Sequence, residues 1–348
     1  MSDEKWLREG LAGAVPTPPT APDRPAAAVA RARRARRRTA MLGAGAVVAV
    51  VAVVATLTTT LTNPSNEPSP AEDGTDRGRP SSPYDVAACP PAPREGEADP
   101  LDAPADAGPD AVPDGAVSVR LCQGAGTPID APDDALISNV GTMVALVNGL
   151  EKTEKPEVCT MDLGPGYRLV FGYDDGSTFV VSGRLYGCRE LVVGSGYRAD
   201  AQAPWGRFID LLREQRAGLD PPAPPDVSAA DCAIQPAPSP VGLPQDLAVA
   251  ALCIGSRRAE ISAEDLALLV EDMRAHTEPG VAYPDCGDAP PYPSIDGIGA
   301  WGDRITIRSE CGIGFFPIFD ASGTTLGSTW IAGDDARKVI QRLIDRAS

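Results

Sequence analysis

Tyr167-Arg168-Leu169-Val170-Phe171-Gly172-Tyr173-Asp174-Asp175-Gly176-Ser177-Thr178-Phe179-Val180-Val181 is the stretch from which the fold is read. Tyr167, Leu169, Phe171 and Tyr173 alternate toward one face, Asp175-Gly176 signals a tight turn, and Phe179 and Val181 resume the alternation. That is a β-hairpin with one buried face.

Upstream, Val140, Met143, Val144, Val147 and Leu150 recur at i, i+3, i+4, i+7, the spacing of an amphipathic helix. It is preceded by Val117-Ser118-Val119-Arg120-Leu121-Cys122, a strand ending in cysteine. Downstream of the hairpin, Leu185 and Tyr186 lead to Cys188, and Phe208, Ile209 and Leu212 mark a closing helix over Trp205 to Arg216.

The same order returns in the second half. Val249-Ala250-Ala251-Leu252-Cys253 matches the first strand, and Leu266, Leu269, Val270 and Met273 match its helix, with Ser262 and Asp265 as the N-terminal cap. Arg304-Ile305-Thr306-Ile307-Arg308 runs toward Cys311, and Ala336 to Arg346 closes the set through Val339, Ile340 and Leu343. The expected class is α+β: two tandem related modules, each a strand, a helix, about three antiparallel strands and a final helix, with the helices on one sheet face. Module one covers 87–216 with an acidic insertion at 94–115, a proline-rich stiff linker covers 217–230, and module two covers 231–348.

Eight cysteines stand at 89, 122, 159, 188, 232, 253, 286 and 311. The even count, with the closest pair 21 residues apart at Cys232 and Cys253, favours disulfides over a zinc site. The repeat suggests Cys89 with Cys122, Cys159 with Cys188, Cys232 with Cys253 and Cys286 with Cys311.

All eight follow a run that sets topology. Arg31, Arg33, Arg34, Arg36, Arg37 and Arg38 precede Met41–Thr62, which has no charged residue. Twenty-two residues at about 1.5 Å each reach roughly 33 Å, enough for a hydrocarbon core of about 30 Å. A transmembrane helix is expected over 41–62, with a largely disordered basic tail, 1–40, in the cytoplasm and a linker, 63–86, outside. The run is longer than a cleaved signal's apolar region and ends without an A-x-A-like site, so an uncleaved anchor is favoured over a signal peptide. Gly45, Ala49, Ala52, Thr56 and Thr59 line one helical face, where a homodimer could pack.

Charge reverses across this run. Residues 1–40 hold nine basic and four acidic residues, and 63–348 hold 22 basic and 44 acidic, within a total of −17. An acidic outer part argues against nucleic acid as a partner.

The search for chemistry returns weak signals. Gly297-Ile298-Gly299-Ala300-Trp301-Gly302 matches G-x-G-x-x-G, but a strand-like run follows it instead of a helix, so hairpin glycines are expected. His276, the sole histidine, falls at a helix end and reads as a C-terminal cap. Asp174, Asp175, Asp303 and Glu310 are strand-adjacent carboxylates, the first two explained by turn chemistry. Glu95, Glu97, Asp99, Asp102, Asp106, Asp110 and Asp114 lack the alternate-residue pattern of a calcium loop. Trp205, Trp301 and Trp330 read as core packing. No catalytic, cofactor-binding or metal-binding residue is assigned.

The layout of Trp6-Leu7-Arg8-Glu9-Gly10-Leu11, a proline-rich tail, the arginine cluster, one span and a cysteine-bearing outer domain resembles uncharacterised actinobacterial single-pass membrane proteins. Some with this layout look like membrane-bound partners of extracytoplasmic-function sigma factors. Residues 1–40 carry no zinc-binding His and Cys pattern of the zinc-dependent anti-sigma domains. The expected function is a membrane-tethered binding or sensing domain without catalysis, for an extracytoplasmic ligand or protein. Two alternatives stand beside it: an anti-sigma-like signalling regulator acting through residues 1–40, and a cell-envelope hydrolase using carboxylates.

Overall fold

A computed structural model describes residues 80, 82–92, 108–160, 162–222, 232, 237–280, 292–310, 312–319 and 326–347. All fall within one compact unit, Asp73–Ser348. Among them no helix is long and apolar enough to cross a membrane. The expected span over Met41–Thr62, the pairing face at Gly45, Ala49 and Ala52, and most of the linkers lie outside the described residues.

Among the described residues the class is α+β with antiparallel sheets, four helices and disulfides. In the first half β1 (Ser118–Gly126) is followed by α1 (Val140–Gly149), β2 (Lys152–Thr153), β3 (Pro165–Gly172), β4 (Thr178–Arg184), β5 (Leu191–Val193), β6 (Gly196–Arg198) and α2 (Gln202–Ala217). These strands form one sheet in the order β1-β3-β4-β5-β6-β2. Six strands stand where about four were expected. The added β2, β5 and β6 are two or three residues long, too short for an alternation pattern to announce them.

The second half contains β7 (Leu247–Ile254), β8 (Arg257–Glu260), α3 (Ala263–His276), β9 (Thr277–Pro279), β10 (Ser294–Gly299), β11 (Arg304–Arg308), β12 (Phe315–Phe319), β13 (Leu326–Ile331) and α4 (Asp334–Arg346). Its strands pair as β11-β10-β7-β8 and as β12-β13-β9. With β8 set aside, the ladders β7-β10-β11 and β12-β13-β9 run in the same sequence order as β1-β3-β4 and β5-β6-β2.

The hairpin read from the sequence pairs Phe171 with Phe179, Leu169 with Val181 and Tyr167 with Gly183. Its inward row, with Val119 and Leu121, packs on Met143, Val147, Trp205, Phe208 and Leu212 from α1 and α2. Each fully buried large apolar side chain contributes about 1.5–3 kcal/mol relative to exposure. In the second half Leu252, Ile295 and Ile307 meet Leu269, Met273, Ile340 and Leu343, and Phe316 stacks on Trp330 at 4.6 Å between ring centroids. The α3 cap is present: Ser262 Oγ accepts from the Asp265 amide at 3.1 Å.

Tyr167 packs against Gly183, where an added Cβ would come 2.4 Å from the ring. The ring cannot retreat, because its hydroxyl donates to the Ala201 carbonyl at 2.5 Å in a fully buried position. Gly183→Ala is therefore expected to destabilise the chain by about 1–3 kcal/mol through overpacking, measured as a shift in urea midpoint. An unchanged midpoint would mean that the ring moves freely.

The outer face of the first sheet is crossed by residues 82–92. Cys89 is bonded to the buried Cys122 of β1, Arg168 donates to the Pro90 and Pro91 carbonyls at 3.1 and 2.9 Å, and Arg120 reaches the Tyr84 carbonyl at 3.5 Å. Cys232 is bonded to Cys253 on β7 in the same manner, and Cys159 to Cys188. These three pairs are the ones read from the repeat, while Cys286 and Cys311 lie outside the described residues.

Candidate functional site

The densest cluster of buried charge forms where α2 ends. Phe208 and Leu212 are apolar stripe positions, and the next step of four along the helix is Arg216, a cation at a core position. Its guanidinium grips Asp134 with both ends, Nε to Oδ2 at 3.0 Å and Nη2 to Oδ1 at 2.6 Å. Nη1 donates to Asp303 Oδ2 at 2.5 Å, and the guanidinium lies 5.2 Å from the centre of the Trp301 ring. Asp134 precedes α1 in the first half, whereas Asp303 ends the β10–β11 turn of the second. Arg216, Asp134 and Asp303 are 8%, 1% and 5% exposed. Burial at this level makes pairing decisive, because an unpaired ion here would pay its full desolvation cost.

Neighbouring contacts extend the joint. Gln215 Oε1 accepts from the Ile137 and Ser138 amides at 2.8 and 3.0 Å, and its Nε2 donates to the Ala135 carbonyl at 2.8 Å. Arg213 donates to the Val241 carbonyl at 2.9 Å, and Val241 itself enters the first core. Asp130 accepts from the Arg304 amide at 3.1 Å, and its own amide donates to the Pro238 carbonyl at 3.1 Å. The two halves share a polar, largely buried joint, while most of the expected stiff linker, 223–230, lies outside the described residues.

Burial alone would lower the Arg216 pKa, but hydrogen bonds and charge from Asp134 and Asp303 outweigh it and push the value up. The cation is thus fixed at any physiological pH. Asp130 is raised, first by burial, with the Arg304 amide and charge opposing. A raised carboxyl is penalised in the folded chain while ionised, and the penalty fades as pH falls through its folded pKa and vanishes below the unfolded value of about 3.9. Asp130→Asn keeps an acceptor for the Arg304 amide without the charge. Its stability relative to the parent is expected to be greatest near pH 7 and to decline as pH falls toward 4, read from urea midpoints; a rising trend would refute the assignment.

The cluster holds rather than transforms. Ser239 Oγ donates to Asp303 Oδ1 at 2.8 Å and accepts from the Val241 and Gly242 amides at 3.2 and 3.3 Å, so its hydroxyl is fully occupied. A second polar knot sits on α3. Asp272 Oδ1 accepts from Trp330 Nε1 at 2.8 Å and the Gly333 amide at 3.0 Å, and Oδ2 lies 3.1 Å from His276 Nδ1. His276 occupies the last helical position, as expected, and also meets the Asp272 carbonyl at 3.2 Å.

The remaining sequence candidates are dispersed. Gly297 and Gly299 lie in β10, and Gly302 takes the left-handed conformation at φ 89° in the following turn. Asp174 and Asp175 occupy the β3–β4 turn, where Asp175 Oδ1 accepts from the Ser177 amide at 2.8 Å. Glu310 follows β11. Of the acidic insertion, Asp110 pairs with Lys152 at 2.7 Å, Asp114 is in an exposed turn, and Glu95, Glu97, Asp99, Asp102 and Asp106 lie outside the described residues. Trp205 and Trp330 are core residues, as expected. Trp301 is the correction: it is half-buried and flanks Arg216, because the turn that carries it is the surface the other half docks on.

Among the described residues, Cys159, Cys188 and Glu190 are close enough to hold a metal, but the sulfurs are joined and Glu190 pairs with Arg184. A cavity of about 430 Å³ lies between Pro80, Asp85, Val86 and Ala87 and the β3–β4 turn at Tyr173, Asp174 and Gly176. Asp134 and Arg216 escaped the sequence reading. The signal available for Arg216 was its place on the apolar stripe of α2. No protein-family model, curated protein or solved structure matches this chain.

Proposed function

We propose that the chain is a single-pass membrane protein whose outer part binds or senses an extracytoplasmic ligand or protein and performs no catalysis. The observation that carries this reading is the uncharged run Met41–Thr62 behind six arginines, with every cysteine beyond it. Three disulfides in the folded part agree with an oxidising compartment, since such bonds persist there and are rare in the cytosol. The N-terminus is placed inside and residues 63–348 outside.

The folded part is further read as two copies of one module. Support comes from the shared ladder order and from the hairpin turns: Gly176 and Gly302 both have positive φ. The Tyr173 amide bonds the Ser177 carbonyl at 3.1 Å as the Gly299 amide bonds that of Asp303 at 2.8 Å. Each half also begins with a cysteine strapped to its first strand.

Topology is tested in intact cells. After reduction, a membrane-impermeant thiol reagent should label the cysteines, and alkaline carbonate should leave the chain in the membrane fraction. Complete protection from the reagent, or release by carbonate, would overturn the placement. Ligand class would then be sought by binding screens on the whole protein in detergent, with Asp174→Asn at the cavity as a site control.

A further inference from the structure

We infer that Arg216 is a latch that makes the two halves move as one, so that a displacement of the β10–β11 hairpin is transmitted to the loop before α1. The geometry is specific to that task. One guanidinium projects from the last turn of α2 and is shared by a carboxylate from each half, at 2.6 Å to Asp134 and 2.5 Å to Asp303. Each carboxylate stands on a connection, not in the centre of a strand or helix, so each reports the position of a loop. Residues 134–138 are held a second time by Gln215, and residues 239–242 are held by Asp303 through Ser239. Three segments distant in sequence therefore converge on one turn of helix, and none of them can shift without breaking a charge-assisted bond in a site closed to water.

The two-copy reading adds a comparison, and that part of the argument rests on it. The turn position equivalent to Asp303 is Ser177, and the closing-helix position equivalent to Arg216 is Ala347. Ser177 is exposed, and Ala347 is buried against the core of its own half. The charged pair thus occurs only at the two positions that face each other across the joint. It was not required by the module's own packing, which the uncharged copies achieve without it.

Transmission is tested by hydrogen exchange read by mass spectrometry on the full-length chain. Arg216→Met keeps the apolar stem and removes the latch; exchange should accelerate at least tenfold in 130–138, 237–243 and 299–304. Ile307→Val then supplies a small perturbation confined to the second core. In the parent it should speed exchange in both 299–304 and 130–138; in the Arg216→Met background, only in 299–304. The latch is overturned if 130–138 responds to Ile307→Val equally with and without Arg216, or does not respond in the parent. Should Arg216→Met not fold, Asp303→Asn replaces it with the same two outcomes at smaller amplitude. The halves could fail as copies while the latch stands, since exchange reports only the joint.

Discussion

Arg216→Ala is expected to destabilise the folded chain by about 3–5 kcal/mol, because it strands two buried carboxylates instead of merely deleting contacts. Asp134 and Asp303 are 1% and 5% exposed, and neither can turn to water while the α2 terminus stays in place. The attraction lost and the desolvation left behind have the same sign, which is why the single change exceeds the roughly 1 kcal/mol of an ordinary exposed pair. A rescue isolates the cause. Adding Asp134→Asn and Asp303→Asn to Arg216→Ala removes the stranded charge and should restore at least half of the loss. Arg216→Lys should stay well short of the parent, since an ammonium cannot grip Asp134 with two donors and reach Asp303 as well. Urea denaturation of the three variants and the parent gives the numbers. Arg216→Ala within 1 kcal/mol of the parent would mean that the site admits water and the joint is a surface feature.

How much of this was legible depends on the range of each signal. The helices were readable because Val140, Met143, Val144 and Val147 or Leu266, Leu269, Val270 and Met273 repeat within two turns, and burial follows that repeat residue by residue. The β3–β4 hairpin was readable because its alternation and its turn are contiguous. Strands β5 and β6 were not, since three residues carry no period and their pairing is imposed by neighbours. β8 was hidden for a different reason: Arg257, Arg258 and Glu260 look like a solvated run, and at a sheet edge charged residues are compatible with a strand. The joint is the least local of all. Asp134 and Asp303 look like turn aspartates, and only the fold places them beside a residue 82 and 87 positions away.

The strap over the first sheet carries the second large expectation. Cys89–Cys122 closes a loop of 33 residues, for which the chain-entropy model gives about 3–4 kcal/mol. Converting both cysteines to alanine should cost that much, measured by urea denaturation against the oxidised parent. The size of the loss tests more than the bond. Cys122 is fully buried beside Arg120 and Arg168, whose guanidinium groups donate to carbonyls of Tyr84, Pro90 and Pro91 in the strap. Were the strap to leave, those donors would turn to solvent and the outer row of β1 and β3 would be uncovered, so the loss should reach the upper end of the range. The polar contacts argue the other way at equilibrium, since three carbonyl bonds can hold the strap after the sulfurs are gone. Hydrogen exchange separates the two: amides of 84–89 that stay protected in the double alanine variant place the whole effect in the unfolded chain, as the entropy model requires. Rapid exchange there would instead make the disulfide the element that keeps the strap on the sheet. A loss below about 1 kcal/mol would exclude both accounts, because the loop closure alone exceeds it.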